Sequence, residues 1–166
     1  MGDILIPEYK IKKEVRRMAH ELSEKFEKCK QPPIVVGVLN GAYMFFTDLT
    51  KNMGIDHEVD FIRAKSYHGK DNSGGVTITK DIEVDVKGRD VIIVEDIIDT
   101  GATIKAIRHR LKDKEANTIT IVTLIKRKGS EDHEDYHVFE IDDSWIIGYG
   151  FDDDGIKRNY RNIYKI

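Results

Sequence analysis

Residues 91–104 read VIIVEDIIDTGATI. The aliphatic run Val91–Val94 has the composition of a strand buried on both faces. It leads directly into Glu95 and Asp96 and then, after two more aliphatic residues, into Asp99, Thr100 and Gly101. Neighbours on a strand point to opposite faces, and burying even one unpaired carboxylate is costly. The two acids are therefore expected where the strand emerges from the sheet, to meet a hydroxyl-bearing ligand, a metal or a basic side chain. Asp99–Thr103 then predicts a tight turn into a helix from Ala102. Such a turn offers successive backbone N–H groups, two hydroxyls and the positive end of a helix, which together suit a phosphate. Acids for sugar hydroxyls or Mg²⁺, beside a phosphate turn, describe a pocket for a phosphorylated sugar.

Outward from this segment the chain alternates short apolar runs with helical patterns. Ile11, Val15, Met18, Leu22, Phe26 and Cys29 recur at spacings of three and four, an amphipathic helix stopped by Pro32-Pro33. IVVGVL (34–39) predicts a buried strand and AYMFFTDLTKNM (42–53) a helix. HEVDFIRAKSY (57–67) and VTITKDIEVDV (76–86) alternate as strands around the polar loop HGKDNSGG (68–75). ATIKAIRHRLKD (102–113) is a helix with Ile104, Ile107 and Leu111 on one face, and TITIVTLI (118–125) is a further buried strand. HVFEI (137–141) and WIIGYGF (145–151) are expected to close the sheet, with a polar, aromatic tail after them. Buried strands joined through helices predict an α/β fold built on an open, mainly parallel twisted sheet. Ligands bind beyond the carboxyl ends of such strands.

At 166 residues the chain suits one domain, 1–166. Its hydrophobic content of 40% and net charge of −3 describe a soluble globular chain. They argue against non-specific binding to nucleic acid or to an anionic membrane. The single cysteine, Cys29, allows no internal disulfide and fits a reducing compartment; a half-buried thiol at a helix end is expected. MGDILIPEYK has neither the basic start nor the apolar run of a signal peptide. Ile6 stands where a myristoylation signal needs Ser or Thr. No apolar run approaches the ~20 residues of a membrane span. A cytoplasmic location is expected.

VIIVEDIIDTGAT resembles the phosphoribosyl-diphosphate signature of the type I phosphoribosyltransferases, specifically the hypoxanthine (hypoxanthine-guanine) phosphoribosyltransferases. VLNGAYMF (38–45), RAKSYHG (63–69), LIKR (124–127) and WIIGYGFDDD (145–154) follow the family's order around it. The resemblance implies a small hood and a flexible loop added to the sheet, and a homo-oligomer, dimer or tetramer. It implies transfer of ribose 5-phosphate from phosphoribosyl diphosphate to a 6-oxopurine, with Mg²⁺. On this resemblance Glu95 and Asp96 hold the ribose 2- and 3-hydroxyls, directly or through Mg²⁺. Asp99 acts at purine N7, as general base or as charge partner. Thr100, Gly101, Ala102 and Thr103 cradle the 5-phosphate. Lys126 donates to the 6-oxo group, Trp145 stacks on the purine and the Ile146 backbone reads its edge. Asp152 binds Mg²⁺, Arg158 contacts the diphosphate, and Leu39, Asn40 and Gly41 form the diphosphate loop. Ser66 and Tyr67 belong to the mobile flap.

The residues themselves support part of this. A lysine can only donate, so Lys126 at a strand end favours an oxo acceptor over an amino group. The segment 66–75 has few apolar anchors and could close over the site to exclude water. Three segments depart from the family. Asn40 replaces a common basic residue, Trp145 replaces Phe, and Lys157-Arg158-Asn159-Tyr160 replaces Tyr-Arg-Asn-Leu. Asp152-Asp153-Asp154-Gly155 lacks EF-hand spacing. His133-Glu134-Asp135-Tyr136-His137 fits the HExxH zinc pattern but sits in an acidic loop, where a coincidence is expected. An RNA-binding relative of the same fold would want a basic stripe that the sequence lacks. Transfer to xanthine, adenine or a pyrimidine is the remaining alternative, and Lys126 argues against adenine.

Overall fold

The computed structural model describes residues 2–67 and 75–166. A short strand, β1 (Asp3–Ile6), precedes the first helix, α1 (Glu8–Phe26). The stripe Ile11, Val15, Met18, Leu22 and Phe26 is buried, while Glu8 in the first turn and Lys25 in the last complement the helix dipole. The helix stops three residues before Cys29. That cysteine is half-buried beyond the helix end, as expected, and its thiol donates to Asp90 Oδ2 at 3.1 Å.

The chain continues through β2 (Ile34–Leu39), α2 (Tyr43–Asn52), β3 (Glu58–Tyr67) and β4 (Gly75–Lys80). It then passes through β5 (Asp90–Ile97), α3 (Ala102–Asp113), β6 (Thr118–Arg127) and β7 (Tyr136–Ile141). Six strands form one sheet in the order β4-β3-β2-β5-β6-β7. All neighbours are parallel except β3 and β4. The strands alternate as period two demands. Val35, Ile92 and Val94 face α1 and α2, with Leu22, Phe45 and Leu49. Ile34, Val36, Val91 and Ile93 face α3, with Ile104, Ile107 and Leu111. Both faces are covered, so the central strands are apolar without a break.

Two expectations are corrected. The strand expected over 76–86 ends at Lys80. Beyond it, the N–H groups of Glu83 and Val84 donate to Asp60 Oδ2, at 2.7 and 3.0 Å, and so leave the ladder. Ile82 and Val86 of this irregular stretch pack into the core on the α3 side. The strand expected over 145–151 shrinks to β8 (Ile146–Ile147), because Gly148, Tyr149 and Gly150 all adopt positive φ. β8 does not close the main sheet. It joins β9 (Ile163–Lys165) and β1 in a separate antiparallel sheet, order β1-β9-β8, which forms the hood. Among the described residues no helix is long and apolar enough to cross a membrane.

Candidate active site

From the centre of the main sheet the chain winds both ways. β2 crosses through α2 to β3 on one side, and β5 crosses through α3 to β6 on the other. β2 and β5 are neighbours, so their carboxyl ends open a crevice at the topological switch point. Leu39, Asn40 and Gly41 leave β2 there, and Glu95 to Thr103 leave β5. Lys126 arrives at the end of β6, and the hood residues 145–158 come from the far side. The Leu39–Asn40 peptide bond is cis.

The turn after β5 has the form its sequence suggested. Gly101 adopts φ 74°, the left-handed region that glycine enters freely. Its carbonyl accepts the Lys105 N–H at 2.9 Å, which starts α3. A cavity of about 220 Å³ is lined by Glu95 and by every residue from Ile97 to Ile104. Asp99 and Thr100 stand exposed at its mouth, and Thr100 Oγ1 accepts the Ala102 N–H at 3.4 Å.

One of the two acids is more enclosed than expected. β5 runs through both of them to Ile97; Glu95 is only 7% exposed, whereas Asp96 is half-buried. Asp96 N–H donates to Glu95 Oε1 at 2.9 Å, and Ile97 N–H donates to Asp96 Oδ1 at 2.7 Å. Burial pushes the Glu95 carboxyl well above its usual range, and the adjacent Asp96 charge pushes it further. Burial likewise raises Asp96, against the pull of its hydrogen bonds and of Arg158. Desolvation is the dominant cause for both. An acidic pair with one member buried and the other half-buried suits a hydroxyl-rich or cationic guest.

Gly41 explains how the crevice stays narrow. A Cβ there would overlap Asp96 Oδ2, so only glycine lets the β2 loop lie against that carboxylate. From the other side Gly150, at φ 106°, packs on the Gly41 carbonyl with equally little room. The Gly150 carbonyl accepts Arg158 Nη1 at 2.6 Å, and Arg158 Nη2 pairs with Asp152 Oδ1 at 2.6 Å. Asp152 Oδ2 accepts the Gly155 N–H at 2.8 Å. Asp152, Arg158, Gly150, Gly41 and Asp96 thus form one chain of contacts.

At the end of β6, Lys126 is 13% exposed at the side chain and lies among the carboxylates of Asp132 and Glu134. The Asp132 carboxylate, followed by that of Glu134, raises its pKa and keeps it a cation. Trp145 is 65% exposed, which removes it from the core and leaves its face free; Ile146 beside it is buried. Arg127 anchors the loop before it by donating to the Ser144 carbonyl at 2.9 Å. Ser66 and Tyr67 lie in β3 by backbone, and the rest of the expected flap, 68–74, lies outside the described residues.

HEDYH is not helical. His133 Nε2 faces Glu131 at 3.5 Å, while His137 Nδ1 faces Glu134 at 3.8 Å. Among the described residues no cluster of three metal-ligating side chains occurs. Sequence reasoning did not find Gly150, Glu134 or His133 as site neighbours. For Gly150 the signal was present in Gly-Tyr-Gly, a glycine pair unsuited to a strand interior.

Residues 5–154 match the model of the phosphoribosyl transferase domain family. A hypoxanthine phosphoribosyltransferase of Escherichia coli is 34% identical over 154 residues, 90% of this chain and 86% of that protein. A hypoxanthine-guanine phosphoribosyltransferase of Streptococcus pyogenes is 38% identical over 164 residues, 96% of this chain and 88% of that protein. The crystal structure of a Staphylococcus aureus hypoxanthine phosphoribosyltransferase superposes with a TM-score of 0.91 at 31% identity, covering 99% of this chain and 90% of that one. A Bacillus anthracis hypoxanthine-guanine phosphoribosyltransferase, solved with a HEPES molecule in the active site, gives the same TM-score and identity over 100% and 99%. Matched by the family model over most of its length and by such relatives over nearly all of it, this chain belongs to the phosphoribosyl transferase domain family, among the hypoxanthine phosphoribosyltransferases.

Proposed function

We propose that this chain transfers the 5-phosphoribosyl group of phosphoribosyl diphosphate to hypoxanthine, and to guanine, releasing diphosphate and yielding the purine nucleotide for salvage. One observation carries the site assignment. Buried Glu95 and the turn Asp99–Thr103 line one cavity at the switch point of the sheet, with half-buried Asp96 beside Glu95 on β5.

We assign the residue roles from the family resemblance together with that placement. N–H groups and hydroxyls of Thr100–Thr103 hold the 5-phosphate at the positive end of α3. Glu95 and Asp96 accept from the ribose hydroxyls. Lys126 donates to the purine 6-oxo group, the face of Trp145 supports the ring, and the Ile146 backbone reads its edge. Asp99, exposed at the cavity mouth, takes the proton at N7 or balances the charge that grows on the base. As the C1–O bond breaks, the sugar becomes oxocarbenium-like and the diphosphate departs as an anion. Arg158 and the backbone of Leu39–Gly41 receive that anion, and Asn40 adds a neutral donor.

Glu95, Asp96 and Asp152 offer only oxygen donors, the set that magnesium prefers. Glu95 also has no cation partner among the described residues. No three-ligand protein cluster is needed, since magnesium is usually held by one or two carboxylates together with substrate oxygens and water. Bound by these residues, magnesium would neutralise charge on the leaving diphosphate.

A spectrophotometric assay with phosphoribosyl diphosphate, magnesium and each purine in turn tests the reading. Asp99→Ala and Lys126→Ala are expected to lower turnover by ~100-fold or more, with unfolding midpoints close to the parent. Near-normal rates in both variants with hypoxanthine and guanine would overturn the assignment.

A further inference from the structure

The loop between β6 and β7 carries the histidine–glutamate pattern that phosphoribosyl transfer leaves unused, and its side chains converge on Lys126. Glu134 is 4% exposed at the side chain. A carboxylate so buried is costly unless paired, and its neighbours define what it does. The His133 N–H donates to Glu134 Oε2 at 3.1 Å, which fixes the carboxylate to its own loop. The other oxygen, Oε1, lies 3.0 Å from Lys126 Nζ and 3.8 Å from His137 Nδ1. It accepts no well-directed hydrogen bond, so it attracts the ammonium as a charge and leaves N–H donors free. The same loop is registered on the phosphate turn, because the His133 ring fills the space over Gly101 where a Cβ would stand. Asp132 also pairs with Lys126, but its side chain is 82% exposed. Exposed pairs contribute little and exchange readily.

We propose that Glu134 is a positioning residue for purine recognition. It holds Lys126 Nζ at the point where the ammonium meets the 6-oxo acceptor, and Asp132 yields its share of that ammonium to the entering base. A lysine stem has four rotatable bonds, and a fixed buried carboxylate confines its head before the base arrives. Because His133 seats the loop against Gly101, the lysine is set at a defined distance from the 5-phosphate turn. This inference rests on the Lys126 reading above.

Steady-state kinetics on four variants test it. Glu134→Ala is expected to raise KM for hypoxanthine at least ~10-fold while KM for phosphoribosyl diphosphate stays within ~2-fold. Its preference for hypoxanthine over adenine falls by a similar factor. The isosteric Glu134→Gln keeps the hydrogen bond from His133 and recovers part of the loss, which separates positioning from misfolding. Asp132→Asn shifts KM for hypoxanthine by less than ~3-fold. Lys126→Met loses base affinity and marks the limit. If Lys126→Met weakens the base but both Glu134 variants match the parent, the inference is overturned and the Lys126 reading stands. If Lys126→Met also leaves KM for hypoxanthine unchanged, both fail together.

Discussion

Glu95 and Asp96 hold two acids side by side where burial raises both pKa values. Such an arrangement is destabilising to the empty protein, and its sign with pH can be worked out. The unfolded chain ionises Glu95 near its ordinary value of 4.5, whereas the folded chain keeps the proton to higher pH. Over that interval the folded state binds more protons, so stability falls as pH rises. Glu95→Gln cannot ionise and removes the contribution. Urea unfolding across the acid-to-neutral range should therefore show the variant gaining on the parent from about pH 4.5 upward, with weaker binding of phosphoribosyl diphosphate. Parallel curves for the two proteins would mean that the acids are solvated. The same pair marks where sequence alone stops. Pleat geometry forbids both acids from sharing one core, and that holds. It does not reveal that the β2 loop, thinned to glycine at Gly41, comes close enough to roof over Asp96.

Asp60 sets the boundary of an element. Its carboxylate accepts N–H bonds from Phe61, Glu83 and Val84, with Lys80 Nζ at 3.4 Å. Burial works to raise its pKa, but those bonds and Lys80 hold it below the ordinary value of 3.8. The stability this contributes is present above pH 3.8 and is lost as pH falls through the depressed value. Asp60→Ala should cost about 2–3 kcal/mol at neutral pH by chemical denaturation, and the difference from the parent should shrink in acid. A difference independent of pH would sink the linkage. Long buried strands and the three helices were legible because each carries a full apolar face of its own. Alternation over 76–86 misled because the strand ladder beneath it ends at Lys80. The later residues keep an apolar rhythm through Ile82 and Val86 while their N–H groups turn to a residue more than twenty positions earlier. β1 and β9 could not be read at all. They are four and three residues long, their pairing joins the two ends of the chain, and the register is broken between Ile4 and Ile6. At the site, the residues along 95–103 were legible as a contiguous motif. Glu134, by contrast, lies in an acidic loop whose one legible pattern, HExxH, pointed to zinc and not to Lys126.

For the whole molecule, the question is what keeps the hood in register with the sheet, since the two meet across the crevice and share no strand. Tyr149 supplies a direct tie. It is buried in the turn after β8, and its hydroxyl donates to Asp48 Oδ2 on α2 at 2.7 Å. Burial and the Asp48 carboxylate together push the phenol far above its usual range, so it remains a donor at all working pH. Its neighbours explain the consequence. α2 begins just after the loop Leu39–Gly41, and Gly150 both packs on Gly41 and holds Arg158. The hydroxyl therefore fixes the separation between the two halves of the proposed diphosphate site. Tyr149→Phe keeps the ring and deletes this one contact. It should cost about 1–2 kcal/mol in global stability. Hydrogen exchange in β8 and β9 should accelerate relative to β5 and β6, because the hood loses a tie that the central strands do not use. KM for phosphoribosyl diphosphate and KM for hypoxanthine should both rise, since the hood carries Asp152 and Arg158 as well as Trp145 and Ile146. Equal acceleration of exchange throughout, with both KM values unchanged, would show that the hood is held by its apolar contacts alone and that the tyrosine only fills space.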